Sequence, residues 1–145
     1  MATERRAEVV WEGSLMEGSG TITKVGSGAL PELPVTWTSR AESPEGRTSP
    51  EELIAAAHAS CFSMALSHAL AQAGNPPERL ETSATVSFVP GTGITKSALT
   101  VTGRVPGLDE QAFQEAAEGA KVGCPVSGAL DGSVELTLDA RLASP

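Results

Sequence analysis

The chain has 145 residues, 40% apolar and 19% charged, enough to bury roughly 68–70% of its unfolded surface in one domain and too apolar for an intrinsically disordered chain. Its formal net charge is −8, with no basic run longer than Arg5-Arg6, which excludes the basic patch that nucleic acid or an anionic membrane would need.

The first residues, MATERRAEVVWEG, carry two arginines with no apolar stretch behind them, so they do not read as a secretory signal. The segment EVVWEGSLM, a glycine-rich gap and GTITKV predict a β-hairpin. LPVTWTS follows as a short extended piece, and Pro31 and Pro34 mark it as an edge or irregular strand. Residues 40–49, RAESPEGRTS, form a polar loop. Ser49-Pro50-Glu51-Glu52 then opens a long helix: serine at the N-cap, proline at the first helical position, and Glu52 completing a capping box. This helix runs to about Ala73 and stops at Gly74, with Pro76 and Pro77 beyond.

The long helix is apolar on nearly every side, so burial by more than one element is expected. Its alanines Ala55, Ala56, Ala57, Ala59, Ala65 and Ala69 would let a partner helix or a second subunit approach closely. The low-charge run from Leu53 to Leu80 is broken by histidine, serine, asparagine and two prolines and does not read as a membrane span. A cytoplasmic, thiol-reducing setting is the expectation, with both cysteines reduced or redox-active.

TSATVSFVP and ITKSALTVTGRV alternate with period two and predict an antiparallel pair. Residues 108–122 fit an amphipathic helix with acids in the first turn and Lys121 in the last. Cys124-Pro125-Val126-Ser127 begins a short helix, and Val134, Leu136, Leu138, Ala140 and Leu142 alternate as a last strand. The pattern is α+β, in a single domain spanning residues 1–145.

Cys61 and Cys124 stand 63 positions apart, so there is no C-x-x-C motif and no metal-ligand spacing. His58 and Cys61 share a helix face, which leaves a zinc site open as an alternative. Taken locally, Cys61 reads as a small buried hydrophobe in mid-helix, His58 as a core histidine and His68 as a surface residue. Cys124 differs, because the positive end of the helix it precedes favours a thiolate. Local physics therefore names Cys124 as the more acidic sulfur, and Cys61 would need a cation brought from elsewhere.

SPEELIAAAHASCFSMALS and AKVGCPVSGAL resemble the two signature segments of the OsmC/Ohr family, the osmotically inducible and organic-hydroperoxide-resistance proteins. The similarity extends to WEG at 11–13, GSGTITK at 18–24, Arg40, ITKSALTV and VPGLD. Ohr-like sequences tend to carry PEQLFAAGYAACF and an arginine in an early strand loop, so the chain is more similar to the OsmC branch.

The resemblance implies an OsmC-like fold, with antiparallel strands around a long buried helix, in an intertwined homodimer. It implies a peroxidase with no metal or prosthetic group. Cys61 would attack the peroxide and become a sulfenic acid, and Cys124 would close a disulfide with it. An external dithiol, a lipoyl protein or another thiol, would then restore both. Arg40 would hold the thiolate, oriented by Glu51, while Phe62 and Met64 would favour organic hydroperoxides over hydrogen peroxide. A non-catalytic small-molecule binder or stress-induced structural protein of the same fold is the alternative. One geometric expectation follows: Glu51 and Cys61, ten residues apart on one straight helix, are separated by roughly 15 Å. They would then serve one site only from different subunits.

Overall fold

The computed structural model describes residues 2–143; Met1, Ser144 and Pro145 lie outside the described residues. The chain forms two compact units, residues 1–53 and 54–145.

The first unit holds a three-stranded antiparallel sheet of β1 (Ala7–Glu12), β2 (Ser19–Val25) and β3 (Leu33–Val35), in that order. The β1–β2 hairpin is the one expected from EVVWEG and GTITKV. Trp11 pairs with Gly20, and its ring lies 2.6 Å from where a Cβ on Gly20 would sit. Only glycine leaves room for the indole against the strand.

The extended reading of LPVTWTS holds only to Val35. Residues Trp37–Ala41 form a short helix, α1. Thr36 and Ser39 hold it with a reciprocal capping box: the Ser39 amide donates to Thr36 Oγ1 at 3.0 Å, and the Thr36 amide donates to Ser39 Oγ at 2.9 Å. Two filled backbone donors outweigh the weak extended preference of the threonines.

The long helix α2 (Pro50–Gln72) crosses from the first unit into the second. Its start follows the sequence in the serine cap, the Glu52 amide donating to Ser49 Oγ at 3.1 Å, but the Glu52 side chain does not close the expected capping box. The Glu52 carboxylate accepts from the Thr48 hydroxyl at 2.8 Å. At its other end Gly74 takes φ +91°, the Gly74 amide donates to the Ala71 carbonyl, and the Asn75 amide donates to the Leu70 carbonyl. This pair of bonds is a Schellman stop, which requires a left-handed residue at the glycine.

The second unit is built on β4 (Arg79–Val89), β5 (Gly93–Arg104) and β6 (Glu135–Leu142), with β5 central. β4 and β5 form the expected antiparallel pair, whereas β6 runs parallel to β5. That parallel pairing needs a crossover, supplied by α3 (Glu110–Gly123) and α4 (Pro125–Leu130). Asp109 caps α3 by accepting from the Ala112 amide at 2.8 Å.

Ser97, Leu99, Val101 and Gly103 alternate inward along β5. The Phe113 ring of α3 packs 2.6 Å from the position of a Cβ on Gly103. Against this face α2 lays one stripe at four-residue spacing, His58, Phe62, Leu66 and Leu70, all buried. Phe62, Leu66 and Leu70 share one core with Leu99, Val101, Phe113, Ala117, Ala120 and Cys124. Burying each large side chain is worth about 1.5–3 kcal/mol.

By length and composition α2 is long and apolar enough to cross a membrane, which the interruptions between Leu53 and Leu80 had argued against; its buried stripe packs into the core of the second unit. The expectation of burial on several sides is not met within one chain. Ala56 and Ala57 are exposed and Met64 is 73% exposed, because only one stripe of α2 faces the core.

Candidate active site

The predicted site residues fall into two pairs, one in each unit. The first is Arg40 with Glu51. Arg40 lies in the last turn of α1, whose capping serine, Ser39, also donates to the Thr48 carbonyl at 2.9 Å. Thr48 is in turn tied to β3 through its amide, which donates to the Pro34 carbonyl at 3.0 Å. These bonds fix the loop between α1 and α2 at both ends and bring the two side chains together. Arg40 Nε lies 3.1 Å from both Glu51 carboxylate oxygens, and a terminal guanidinium nitrogen lies 3.0 Å from Oε2. Glu51 is buried and Arg40 one-third exposed. A buried carboxylate is costly unless paired, and the two-point guanidinium contact supplies the partner while presenting a rigid, permanently charged group.

The second pair is Cys61 with Cys124. Both are free thiols; Cys124 is buried and Cys61 partly so. They come from α2 and from the junction of α3 and α4, Cys61 packs against the core that holds Cys124, and each sulfur shifts the acidity of the other. The two sulfurs differ in acidity. Burial pushes the Cys61 thiol up, the hydrogen bond and charge of Cys124 push it further, and the Val126 amide offsets only part of this. Burial also opposes ionisation of Cys124. There it is outweighed by the influence of Cys61, of the Ser127 amide and hydroxyl and of the Val126 amide, so the Cys124 thiol is lowered. Donors that favour the thiolate win where several converge on one sulfur. The two shifts point the same way as the acidity order expected from the local sequence.

His58 takes the core-histidine role read from the sequence and not that of a zinc ligand. It is fully buried, with Nδ1 2.7 Å from Ser97 Oγ and Nε2 2.8 Å from Ser127 Oγ. Burial lowers its pKa from the ordinary 6.5. With both ring nitrogens on serine hydroxyls, neither is directed to a metal. Among the described residues no group of three or more histidines, cysteines and acids is placed to hold an ion. Sequence reasoning missed Ser97 and Ser127. The CPVS motif put Ser127 beside Cys124, but nothing in the chain's order joins positions 58, 97 and 127.

Of the two apolar residues expected near the peroxide, Phe62 is fully buried in the core and offers no surface to a ligand. Met64 lines a surface depression of about 560 Å³ with Ser63, Ser67, His68 and Leu80, a wall to which neither cysteine contributes. His68 is exposed, as read from its place on the helix.

The family model described as OsmC-like protein matches residues 43–139. Peroxiredoxin OsmC of Escherichia coli (strain K12) is 44% identical over 147 residues, covering 99% of this chain and all of that protein. Among solved structures, the organic hydroperoxide resistance protein OhrB of Bacillus subtilis is 27% identical with a TM-score of 0.68, covering 94% of this chain and 98% of that one. The OsmC-like protein of Mycoplasma pneumoniae superposes with a TM-score of 0.73 at 15% identity, over 99% of this chain and all of that one, a likeness of fold.

Proposed function

The chain belongs to the family of OsmC-like proteins, and on that premise we propose that it is a cysteine-based peroxidase serving in defence against peroxide stress. Its preferred substrates in this reading are organic hydroperoxides, with hydrogen peroxide reduced more weakly. The observation that carries the reading is the contact between two free thiols 63 positions apart in sequence.

The Cys61 thiolate attacks the distal peroxide oxygen. The O–O bond breaks, the departing alkoxide takes up a proton to become the alcohol, and Cys61 is left as a sulfenic acid. The Cys124 thiolate then attacks the Cys61 sulfur and displaces hydroxide, which leaves as water, and a Cys61–Cys124 disulfide results. An external dithiol, from a lipoyl protein or another thiol, reduces the disulfide and is itself oxidised. A low-pKa Cys124 suits both halves of this cycle, since it is available as thiolate for the attack and is a good leaving group during reduction. The cycle needs no metal or prosthetic group.

Cys61 requires a cation, because its surroundings within one chain push its thiol up. In the proposal the cation is Arg40, oriented by Glu51, reaching Cys61 from a second copy of the chain in a homodimer. Glu51 and Cys61 stand ten residues apart on α2, roughly 15 Å by helical rise. The apolar surface that a single chain leaves open, Met64 on α2 and Val9, Val10 and Trp11 on β1, supports a homodimer. Met64 is the accessible apolar residue for an alkyl peroxide, with Phe62 supporting α2 from the core. The reading treats residues 1–145 as one functional domain working in the cytoplasm, where both thiols stay reduced between turnovers.

The test is consumption of cumene hydroperoxide and of hydrogen peroxide by the reduced protein, with dihydrolipoamide as electron source. The reading expects faster turnover of the organic peroxide. Turnover of both at the rate of the Cys61→Ser variant would remove it.

A further inference from the structure

Three buried hydrogen-bonding groups stand behind Cys124 in a row, and the peroxidase cycle as written uses none of them. Ser97 Oγ lies 2.7 Å from His58 Nδ1, His58 Nε2 lies 2.8 Å from Ser127 Oγ, and Ser127, three residues after Cys124, favours the thiolate of that sulfur. Ser97 and His58 are fully enclosed and Ser127 is 1% exposed. No buried side-chain polar atom among the described residues is left without a partner.

A neutral imidazole has one N–H donor and one acceptor nitrogen, and each serine hydroxyl has a single hydrogen. The row therefore has two settings. With the proton on Nε2, His58 donates to Ser127 Oγ, Ser97 donates to Nδ1, and the Ser127 hydrogen is directed to the Cys124 sulfur. With the proton on Nδ1, His58 donates to Ser97, and the Ser127 hydrogen is taken by Nε2 and withheld from the sulfur. We infer that His58 is a positioning residue for Cys124, its Nε2–H tautomer fixing the Ser127 hydroxyl as a donor to the Cys124 thiolate. Burial that keeps the ring neutral is a requirement of this device, since an imidazolium would donate from both nitrogens and could not accept from Ser97.

The titratable group facing Cys124 directly is Cys61 of α2, and His58 faces it through Ser127. Ser97 is the contribution of β5. Lys121 of α3, Asp131 and Glu135 of β6 line a cavity of about 340 Å³ beside Ser127.

The decisive measurement is the ¹⁵N spectrum of the histidine-labelled reduced protein, compared with the Cys61–Cys124 disulfide form and with the Cys124→Ala variant; exposed His68 is the internal reference. The expected result is a neutral Nε2–H ring at His58 when Cys124 is a thiolate, and loss of that bias when the sulfur carries no charge or is absent. An unchanged tautomer in all three forms, or Nδ1–H beside the thiolate, would overturn the inference.

A second measurement follows iodoacetamide alkylation of Cys124 against pH in a Cys61→Ser background. His58→Leu moves the midpoint to higher pH and slows alkylation near neutral pH roughly threefold to tenfold. His58→Gln restores it, because an amide can donate to Ser127 and accept from Ser97 at once. A folded His58→Leu protein with unchanged alkylation, or a folded His58→Gln protein as slow as His58→Leu, would contradict the inference. If His58→Leu does not fold, the tautomer comparison stands on the unmutated ring. The inference deepens the proposed peroxidase reading by giving Cys124 its thiolate, but neither measurement consumes peroxide, so each can fail without the other.

Discussion

Cys61 and Cys124 are the same side chain in two settings, and the settings give them opposite acidities. Cys61 lies in the middle of α2, whose own amides are spent on the helix, and burial with a sulfur neighbour raises its thiol by more than the Val126 amide offsets. Cys124 is the N-cap of α4, where the first amides of the helix have no partner within it, and its thiol is lowered. The lesson is that backbone position sets thiol acidity through the supply of unspent N–H donors. A mid-helix cysteine must borrow its cation from elsewhere. In the proposed reading the lender is the Arg40–Glu51 pair, with its bidentate geometry and buried carboxylate.

The largest expected effect separates the sulfurs outright. Cys61→Ser abolishes peroxide turnover, whereas Cys124→Ser consumes one equivalent of peroxide per chain and then stops. Stopped-flow with a limiting alkyl hydroperoxide distinguishes the two, and a single-equivalent burst from Cys61→Ser would reverse the roles. Next comes the borrowed charge: Arg40→Gln slows the first step about 10- to 100-fold, the scale of a charge-assisted hydrogen bond. Mixed dimers of Arg40→Gln and Cys61→Ser chains sharpen this, because they recover activity only if arginine and thiol come from different copies. Activity no higher than that of either parent would place both groups in one chain.

A smaller effect belongs to the acidic sulfur. Ser127→Ala removes one donor of several from Cys124 and slows disulfide closure roughly threefold to tenfold, with the first step unchanged. Rapid-quench thiol counting separates the two steps. The smallest concerns stability. Burial lowers the pKa of His58 from 6.5, so below that value the unfolded chain binds a proton that the folded chain refuses. Stability therefore falls as pH drops below about 6.5, and His58→Gln flattens that fall in thermal melts at successive pH values.

Much of this was legible in the sequence wherever a local rule decided the outcome. Ser49-Pro50 and Gly74 bound α2 because a cap and a left-handed stop are written in neighbouring residues. The acidity of Cys124 was legible for the same reason, since Gly-Cys-Pro marks a helix start. The short α1 was not, because its cap pairs Thr36 with a serine in place of the usual Glu or Gln, and threonine beside tryptophan reads as strand. Parallel pairing of β5 with β6 was not legible either, as a crossover leaves no mark in either strand. Most of the unread remainder lies around His58, whose partners Ser97 and Ser127 are joined to it only by the packing of α2 against β5 and α4. Phe62 is the converse case: its nearness to Cys61 in sequence suggested a pocket wall, and the helix turns it into the core of its own chain.

The central claim is that Cys61, and not Cys124, meets the peroxide first. It is tested most directly by intact mass and free-thiol count after one equivalent of an alkyl hydroperoxide, with Cys124→Ser and Cys61→Ser run alongside in the presence of a sulfenic-acid trap. The account predicts that the wild type loses both thiols to a disulfide and that the trap adds to Cys61 in Cys124→Ser, with no adduct on Cys124 in Cys61→Ser. Survival of both wild-type thiols, or an adduct on Cys124 in Cys61→Ser, would contradict it.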